Sequence, residues 1–393
     1  MRLFSDQRGQ TTIVIALGIF TLCGMAGLAA DVGTLFRVKR VLQTAADAGA
    51  IAAAAEARYG DDNAAALAIA SLNGVTNGSN GYTVTETITA SGYQVVASQS
   101  APTFFMKVFG LNSMAVSATA VANNGPASNC IYALDPSGID VGLTGTANLN
   151  MPDCGIIINS GSSNGLNMTG SSSLTASSIG IVGGYNTTNN VNYTPVPVTG
   201  VAPAPNPLAY LSAPSFSTSS CLSDPHLTSG GSIGPSISGG TVCYNGLSIS
   251  GSGAVTMAPG TYIINGAMSM SGSGSLTGTG GVTIYLAPPN GSLSLTGSGA
   301  LNISAPTTGT YNGILFFEDP TDTNNMKVAG STGSNLQGIF YAPNAALTLT
   351  GSSGANIQAD LVVHALSMSG TANFTNYASA NANEPLTSPR LVQ

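Results

Sequence analysis

From Gly138 onward a short phrase recurs: an apolar residue, any residue, an apolar residue, Ser or Thr, then Gly. It stands at Val141 to Gly145 (VGLTG), Leu166 to Gly170 (LNMTG), Leu247 to Gly251 (LSISG), Met268 to Gly272 (MSMSG), Leu293 to Gly297 (LSLTG), Leu347 to Gly351 (LTLTG) and Leu366 to Gly370 (LSMSG). Adjacent copies begin 25, 21, 25 and 19 residues apart, with longer gaps of 81 and 54 residues. A unit of this length that cannot bury its apolar face alone must stack on its neighbours. Alternation with period two makes each copy a short strand with one face inward. The repeats are therefore expected to form coils of a Gly/Ser-rich, right-handed parallel β-helix. Leu247, Ile249, Met268 and Met270 point in, and Ser248 and Ser269 face water.

The 81-residue gap holds Thr194 to Pro214 (TPVPVTGVAPAPNPLAYLSAP), whose spaced prolines suit an extended strap or linker rather than a coil. A second interruption, Glu318 to Asn325 (EDPTDTNN), reads as an irregular loop. Its Glu318, Asp319 and Asp322, with Asn324, could hold calcium through oxygen ligands, but the spacing is not that of an EF-hand. A solvated acidic turn is the expectation.

At the amino end, Thr11 to Ala30 (TTIVIALGIFTLCGMAGLAA) is twenty residues without a full charge, enough to cross the hydrocarbon of a bilayer as a helix. Leu35, Val38, Leu42, Ala45, Ala48 and Ala52 continue the helical spacing, and no proline precedes Pro102. One helix over about 11–58 is expected, half in lipid and half an alanine-rich stalk. Arg2 and Arg8 before the run, and Gly27, Ala29 and Ala30 at its end, also fit a cleaved secretory signal. Signal apolar segments are shorter than this, and their helices stop at the cleavage point, so a retained anchor is preferred. Ala45, Ala46 and Gly49, small residues in the stalk, would let another helix approach closely; alanine there also simply favours helix.

Charged residues make up only 6% of the chain. Between 59 and 389 the only cations are Lys107 and Lys327, against twelve carboxylates. Such a surface has nothing with which to neutralise phosphates, and nucleic-acid binding is excluded as an expectation. Beyond Cys23 in the apolar run there are four cysteines, Cys130, Cys154, Cys221 and Cys243, which allow three pairings. Cys130–Cys154 and Cys221–Cys243 are favoured, because each closes a loop about one repeat long. No C-x-x-C pair is present and His226 and His364 stand apart, so a zinc site is disfavoured. Disulfides imply an oxidising compartment. They orient the chain with its amino end in the cytoplasm and its bulk outside.

Between stalk and repeats, Asp61, Asp62 and Asn63 cap a short helix Ala64 to Leu72, stopped at Asn73-Gly74. Thr83 to Thr89, Tyr93 to Ala97 and Met114 to Val121 read as strands. Pro102 to Phe109 (PTFFMKVF) reads as an amphipathic helix that buries Phe104, Phe105, Val108 and Phe109.

Three stretches resemble one family, the TadG-like membrane proteins of bacterial Flp, or tight-adherence, pilus systems. The first is Arg8-Gly9-Gln10 before the apolar run, Asp31-Val32-Gly33 after it, and Leu42 to Ala48 (LQTAADA) in the stalk. The second is Pro102 to Gly110 with Leu111 to Ala122. The third is Cys130 to Gly138 (CIYALDPSG), Cys154 to Ser160 (CGIIINS) and Ala258 to Gly266 (APGTYIING). The resemblance implies a single-pass protein of the bacterial cytoplasmic membrane, engaged with the lipid bilayer and with other pilus-assembly membrane proteins, and acting in surface attachment. Two motifs depart from it. Val14 stands five residues after Gly9, where prepilins carry glutamate. Ile139 replaces the second serine of a D-x-S-x-S metal motif that would begin at Asp135, so no metal site is carried over.

Asp135, Asp140, Asp153, Asp224 and Asp360 look scattered, without the basic partners of a polysaccharide-cleaving site. His364, between apolar residues, reads as a partly buried strand residue. No catalytic residue, cofactor or metal is expected, and the chain is not expected to be an enzyme. The organisation expected is α+β, mainly β: an anchor and stalk over 1–58, an α+β module over 59–125, first repeats over 126–190, a Pro-rich strap over 191–220, main repeats over 221–380 and a tail over 381–393. The competing reading is a secreted adhesin that binds surface polysaccharide after its signal is cleaved.

Overall fold

A computed structural model of the chain describes residues 10–57, 60–126, 129–188, 190–330, 334–351, 356–376 and 386–392. Arg2, Arg8 and Arg58, Gly9 of the motif before the apolar run, and residues 381–385 and 393 of the expected tail lie outside these residues. The chain forms two compact units. One is Met1–Gly125 with Ser388–Gln393; the other is Pro126–Thr387.

In the first unit, α1 (Gln10–Glu56) is a single unbroken helix of 47 residues. Its surface over Ile13 to Leu28 is exposed except at Gly24 and Gly27, which are half-buried. Helix α2 (Asp62–Leu72) ends where Asn73 turns back on the carbonyls of Ile69 and Ala70. Strands β1 (Tyr82–Thr89), β2 (Gly92–Pro102) and β3 (Ser113–Pro126) form an antiparallel meander, and the returning strand Thr387–Val392 takes the edge beside β3. The core of this unit is built from small side chains: Leu42, Ala45, Ala46, Ala50, Ala53 and Ala54 of α1 pack with Ala66 and Ala70 of α2 and with Val84, Val95 and Ala97 of the sheet.

The second unit is a parallel β-solenoid of about ten turns with three strands per turn. The repeat's terminal glycine explains the shape of its corner. Gly145, Gly170, Gly251, Gly272 and Gly370 all have positive φ, and they stack so closely that a Cβ on Gly170 would lie 2.6 Å from the Gly145 carbonyl oxygen. Before each glycine the expected alternation holds. Leu247, Ile249, Met268 and Met270 are buried, with Ser248 and Ser269 between them half-buried.

One of the three faces differs. Its strands are buried on both sides, as in Gly155–Ile158 (GIII), Val282–Leu286 (VTIYL) and Ile314–Glu318 (ILFFE). The inward register column runs Val242, Tyr262, Ile284, Phe316, Phe340, Leu361, Ile131, Ile156, Ile179. The outward column runs Cys243, Ile263, Tyr285, Phe317, Tyr341, Val362, Tyr132, Ile157. Outward apolar side chains need a cover, and the Pro-rich segment supplies it. Val201, Ala204, Leu208, Tyr210, Leu211 and Phe216 pack along this column. Polar contacts fix their order. Asn159 exchanges hydrogen bonds with the backbone of Ala204 (2.8 and 2.9 Å), the Asn206 amide donates to the Tyr341 hydroxyl (2.9 Å), and the Tyr311 hydroxyl donates to the Ser212 carbonyl (3.0 Å). The ring of Phe216 meets that of Tyr285 with centroids 6.4 Å apart.

The expected strap over 191–220 is shorter than its prolines suggest: Asn192–Thr194 and Val198–Thr199 still pair with the solenoid, and the segment after Thr199 runs back along the stack to the coil of Cys243. This sets an order that the chain's linear reading does not give. Residues 126–190 and 221–380 are not separate stacks: the strand Asn356–Gly370 pairs in parallel with Asn129–Ala133 and Val141–Leu143, so the last coil of the chain sits on the first.

Both disulfides expected from spacing are present. Cys130–Cys154 ties neighbouring coils, and Cys221–Cys243 fastens the end of the strap to the coil at which it arrives. Cys23 is free and exposed on α1.

Candidate functional site

The chemistry of the first unit is concentrated where α1 passes the loop Pro102–Leu111. The Asp31 side chain is buried, and its carboxylate accepts the N–H of Phe104 and the N–H of Met106, each at 2.7 Å. The Phe105 ring lies on the helix at Gly27, where any Cβ would fall 2.5 Å from the ring, with Gly24 beside it. The loop is thus clamped to the helix by one charge-assisted pair of hydrogen bonds and one aromatic contact.

Beyond that clamp the loop differs from its expected form. Met106–Phe109 is a single 3-10 turn, closed at Gly110 with φ 81°. It buries only part of Phe105, while Phe104, Val108 and Phe109 are 67%, 77% and 72% exposed. Four residues give too short a turn to present a helical face. The glycine notch on α1 takes one ring, that of Phe105.

Higher on α1 the small residues have a definite use. Ala45 and Ala46 are fully buried, and Gly49 lies so close to α2 that a Cβ would be 3.2 Å from the Ala66 carbonyl oxygen. The helix that approaches closely is the chain's own α2, so this face is already filled. Lys39 donates to the Ser117 carbonyl, and Gln43 donates to Asp47 (2.7 Å) and to the Thr119 carbonyl (3.3 Å), joining stalk to sheet.

The solenoid holds most of the carboxylates, and coil closure brings together some that look scattered in sequence. His364 lies 3.5 Å from Asp135, because Asn356–Gly370 stacks on Asn129–Ala133. Asp140 is fully buried nearby and accepts the Asn159 N–H at 3.1 Å. Burial, with the charge of Asp135, pushes its carboxyl up to about 8. His226 stands 3.7 Å from Asp224 at the far coil. Ser248, the register partner of His226, donates to the same Asp224 oxygen at 3.0 Å.

The acidic loop is not a solvated turn. Glu318 is fully buried, and Asp319 and Asp322 nearly so. In register Glu318 follows Tyr244, Ile264 and Leu286, a position otherwise filled by core side chains. Neither of its oxygens has a hydrogen-bond partner, and burial, with the charge of Asp322, raises it to about 8. Burial alone would raise Asp319 as well, but the Thr321 and Tyr285 hydroxyls and the Thr321 N–H hold it below its usual range. Its partner Tyr285 is pushed up by burial and by that hydrogen bond. The Thr323 and Asn324 N–H groups cap Asp322. These carboxylates do not converge in a geometry fit for a metal ion, nor does any other group of His, Cys, Asp or Glu among the described residues.

One surface groove, of about 500 Å³, crosses three coils and is lined by Thr241, Thr261, Thr283, Thr308, Pro259 and Tyr311 among others. Its hydroxyls and single aromatic ring carry no charge.

Comparison with known families matches the two ends of the chain differently. A family model described as Flp pilus-assembly TadE/G-like covers residues 9–56, and a second, described as Tad-like Flp pilus-assembly, covers residues 36–122. Residues 252–380 match a domain of unknown function, DUF7305. No curated protein and no solved structure matched the chain. The two pilus-assembly matches fall on α1 and on the meander that it packs against, the segments that carry the clamp and the small-residue core. On these grounds residues 9–122 form a TadE/G-like module of the Flp pilus-assembly type.

Proposed function

We propose that the chain is a non-catalytic, membrane-anchored component of the Flp pilus-assembly apparatus that contributes to surface attachment. It holds its disulfide-bonded solenoid on the outer side of the cytoplasmic membrane. The observation that carries this reading is the continuity of α1. The uncharged run and the packed stalk are one helix, so whatever holds the first half in lipid also fixes the module built on the second. The two disulfides support an extracytoplasmic location for the solenoid. The exposure of His226 and the scarcity of cations support a structural rather than a hydrolytic role. Its partners in this reading are the bilayer and other pilus-assembly membrane proteins.

A second reading, a secreted adhesin that binds surface polysaccharide, is favoured by the uncharged threonine-lined groove, which suits neutral hydroxyl-bearing ligands. One preparation separates the two. The mature protein is isolated from the producing cell's membranes, its amino-terminal sequence is read, and crosslinked partners are identified. An intact amino end with pilus-assembly proteins attached supports the anchor; cleavage near Ala30 and recovery from the medium supports the adhesin.

A further inference from the structure

The loop Phe104–Leu111 exposes four large apolar side chains, Phe104, Val108, Phe109 and Leu111, in one short stretch. Isolated exposed apolar residues are ordinary, but a cluster of this kind marks a surface that meets something apolar. Its position on α1 says what that is. Phe105 rests on Gly24 and Gly27, both inside the uncharged run Thr11–Ala30. At about 1.5 Å per residue, Gly27 lies about 5 Å and Gly24 about 9 Å inside the outer limit of the run. A ring seated on those glycines shares their depth. We infer that the loop Phe104–Leu111 is a membrane wedge. It immerses its aromatic tip in the outer lipid leaflet beside α1, while Lys107, exposed in the same turn, reaches the headgroups.

The inference rests on reading α1 as a bilayer anchor, and the details of the loop agree with it. The exposed apolar side chains of α1, from Ile13 to Leu28, lie on the segment that Phe105 touches at Gly24 and Gly27, so both sets of side chains share one stretch of the helix. Aromatic rings are favoured at the membrane boundary, and a lysine there extends its stem along apolar surface with its charge in water. The loop's own backbone would be costly in lipid without partners. Asp31 satisfies the N–H groups of Phe104 and Met106, and the turn satisfies those of Val108, Gly110 and Leu111 internally. The wedge fixes how deep the anchor sits and stops it from sliding or turning, so the module on the stalk keeps one height above the membrane.

The chain contains no tryptophan, so a single introduced indole reports its own depth. Three full-length variants, Phe109→Trp, Ile19→Trp and Leu72→Trp, are reconstituted in phosphatidylcholine–phosphatidylglycerol vesicles. Their fluorescence is read with lipids brominated either near the headgroup or near the end of the acyl chain. Phe109 and Leu72 are exposed, so neither substitution disturbs the core. The wedge predicts a blue-shifted Phe109→Trp emission quenched by the shallow bromines, Ile19→Trp quenched by the deep ones, and Leu72→Trp quenched by neither. If Ile19→Trp is quenched and Phe109→Trp keeps the emission of an indole in water, the wedge is overturned and the anchor stands. If Ile19→Trp is not quenched, the anchor reading fails and the wedge fails with it.

Discussion

Leu361 is the parallel register partner of Ile131, and both are fully buried. This pair joins a strand near the end of the chain to the first strand of the solenoid, making one stack of two sets of coils that are distant in sequence. Truncating a buried leucine costs about 2–5 kcal/mol. At this seam the loss is shared by coils on both sides. Leu361→Ala is expected to lower hydrogen-exchange protection in Gly155–Ile158 and in Val282–Leu286 together. Loss confined to the coils after Ile314 would mean that the two sets fold independently.

The strap is held at its far end by Cys221–Cys243, with a sequence separation of 22. Closing a loop of that length restrains the unfolded chain by roughly 3 kcal/mol. Cys221→Ser with Cys243→Ser should make the strap the first site of cleavage by a broad-specificity protease, within residues 201–220, while the coils stay intact. The parent protein should resist until it melts. Equal resistance in both would show that side-chain contacts alone hold the strap.

The carboxyls of Glu318 and Asp140 titrate near 8 in the folded chain, against reference values of 4.5 and 3.8. A carboxyl whose folded value is raised binds its proton more tightly folded than unfolded. Stability from this source is complete below about pH 4 and is lost as pH rises toward 8. The thermal midpoint of the solenoid should therefore fall between pH 5 and pH 8, and Glu318→Gln should flatten that slope. A midpoint rising over the same range in the parent protein would contradict the assignment.

Asp31→Asn keeps the shape of the side chain but removes the charge that accepts the N–H groups of Phe104 and Met106. Hydrogen bonds to a charged acceptor are worth about 1.5–3 kcal/mol. Faster amide exchange at residues 104–111, with protection unchanged in β1 and β2, is the expected result. Gly27→Val should give the same result by displacing the Phe105 ring. An unchanged loop in both variants would mean that it is held from elsewhere.

The coils, the helix and the disulfides were legible because each rests on a local or short-range pattern: apolar alternation, an uncharged run, a cysteine spacing of one repeat. Two-sided burial was written in the sequence as well. Ile156-Ile157-Ile158 and Ile339-Phe340-Tyr341 are unbroken apolar runs where the other strands alternate, and a parallel strand of that kind is covered on both sides. The identity of the cover was hidden, because proline spacing signals extension and not destination. Nothing local links Leu361 to Ile131 or His364 to Asp135, which meet only through the return path of the strap. The aromatic loop misled for a different reason. Phe104, Phe105, Val108 and Phe109 have the spacing of a buried face, but an apolar side chain beside a membrane helix need not be buried in protein.

The chain leaves the first unit after Gly125 and re-enters it at Ser388. In the register columns the coils it serves, those of Tyr132 and Val362, are the seventh and sixth of ten. A pull on the anchor is thus delivered to the interior of the stack, covalently through Gly125 and through the hydrogen-bonded strand Thr387–Val392, and not to either terminal turn. A solenoid tugged from one end can peel a turn at a time; here the connection enters between turns that are each paired on both sides.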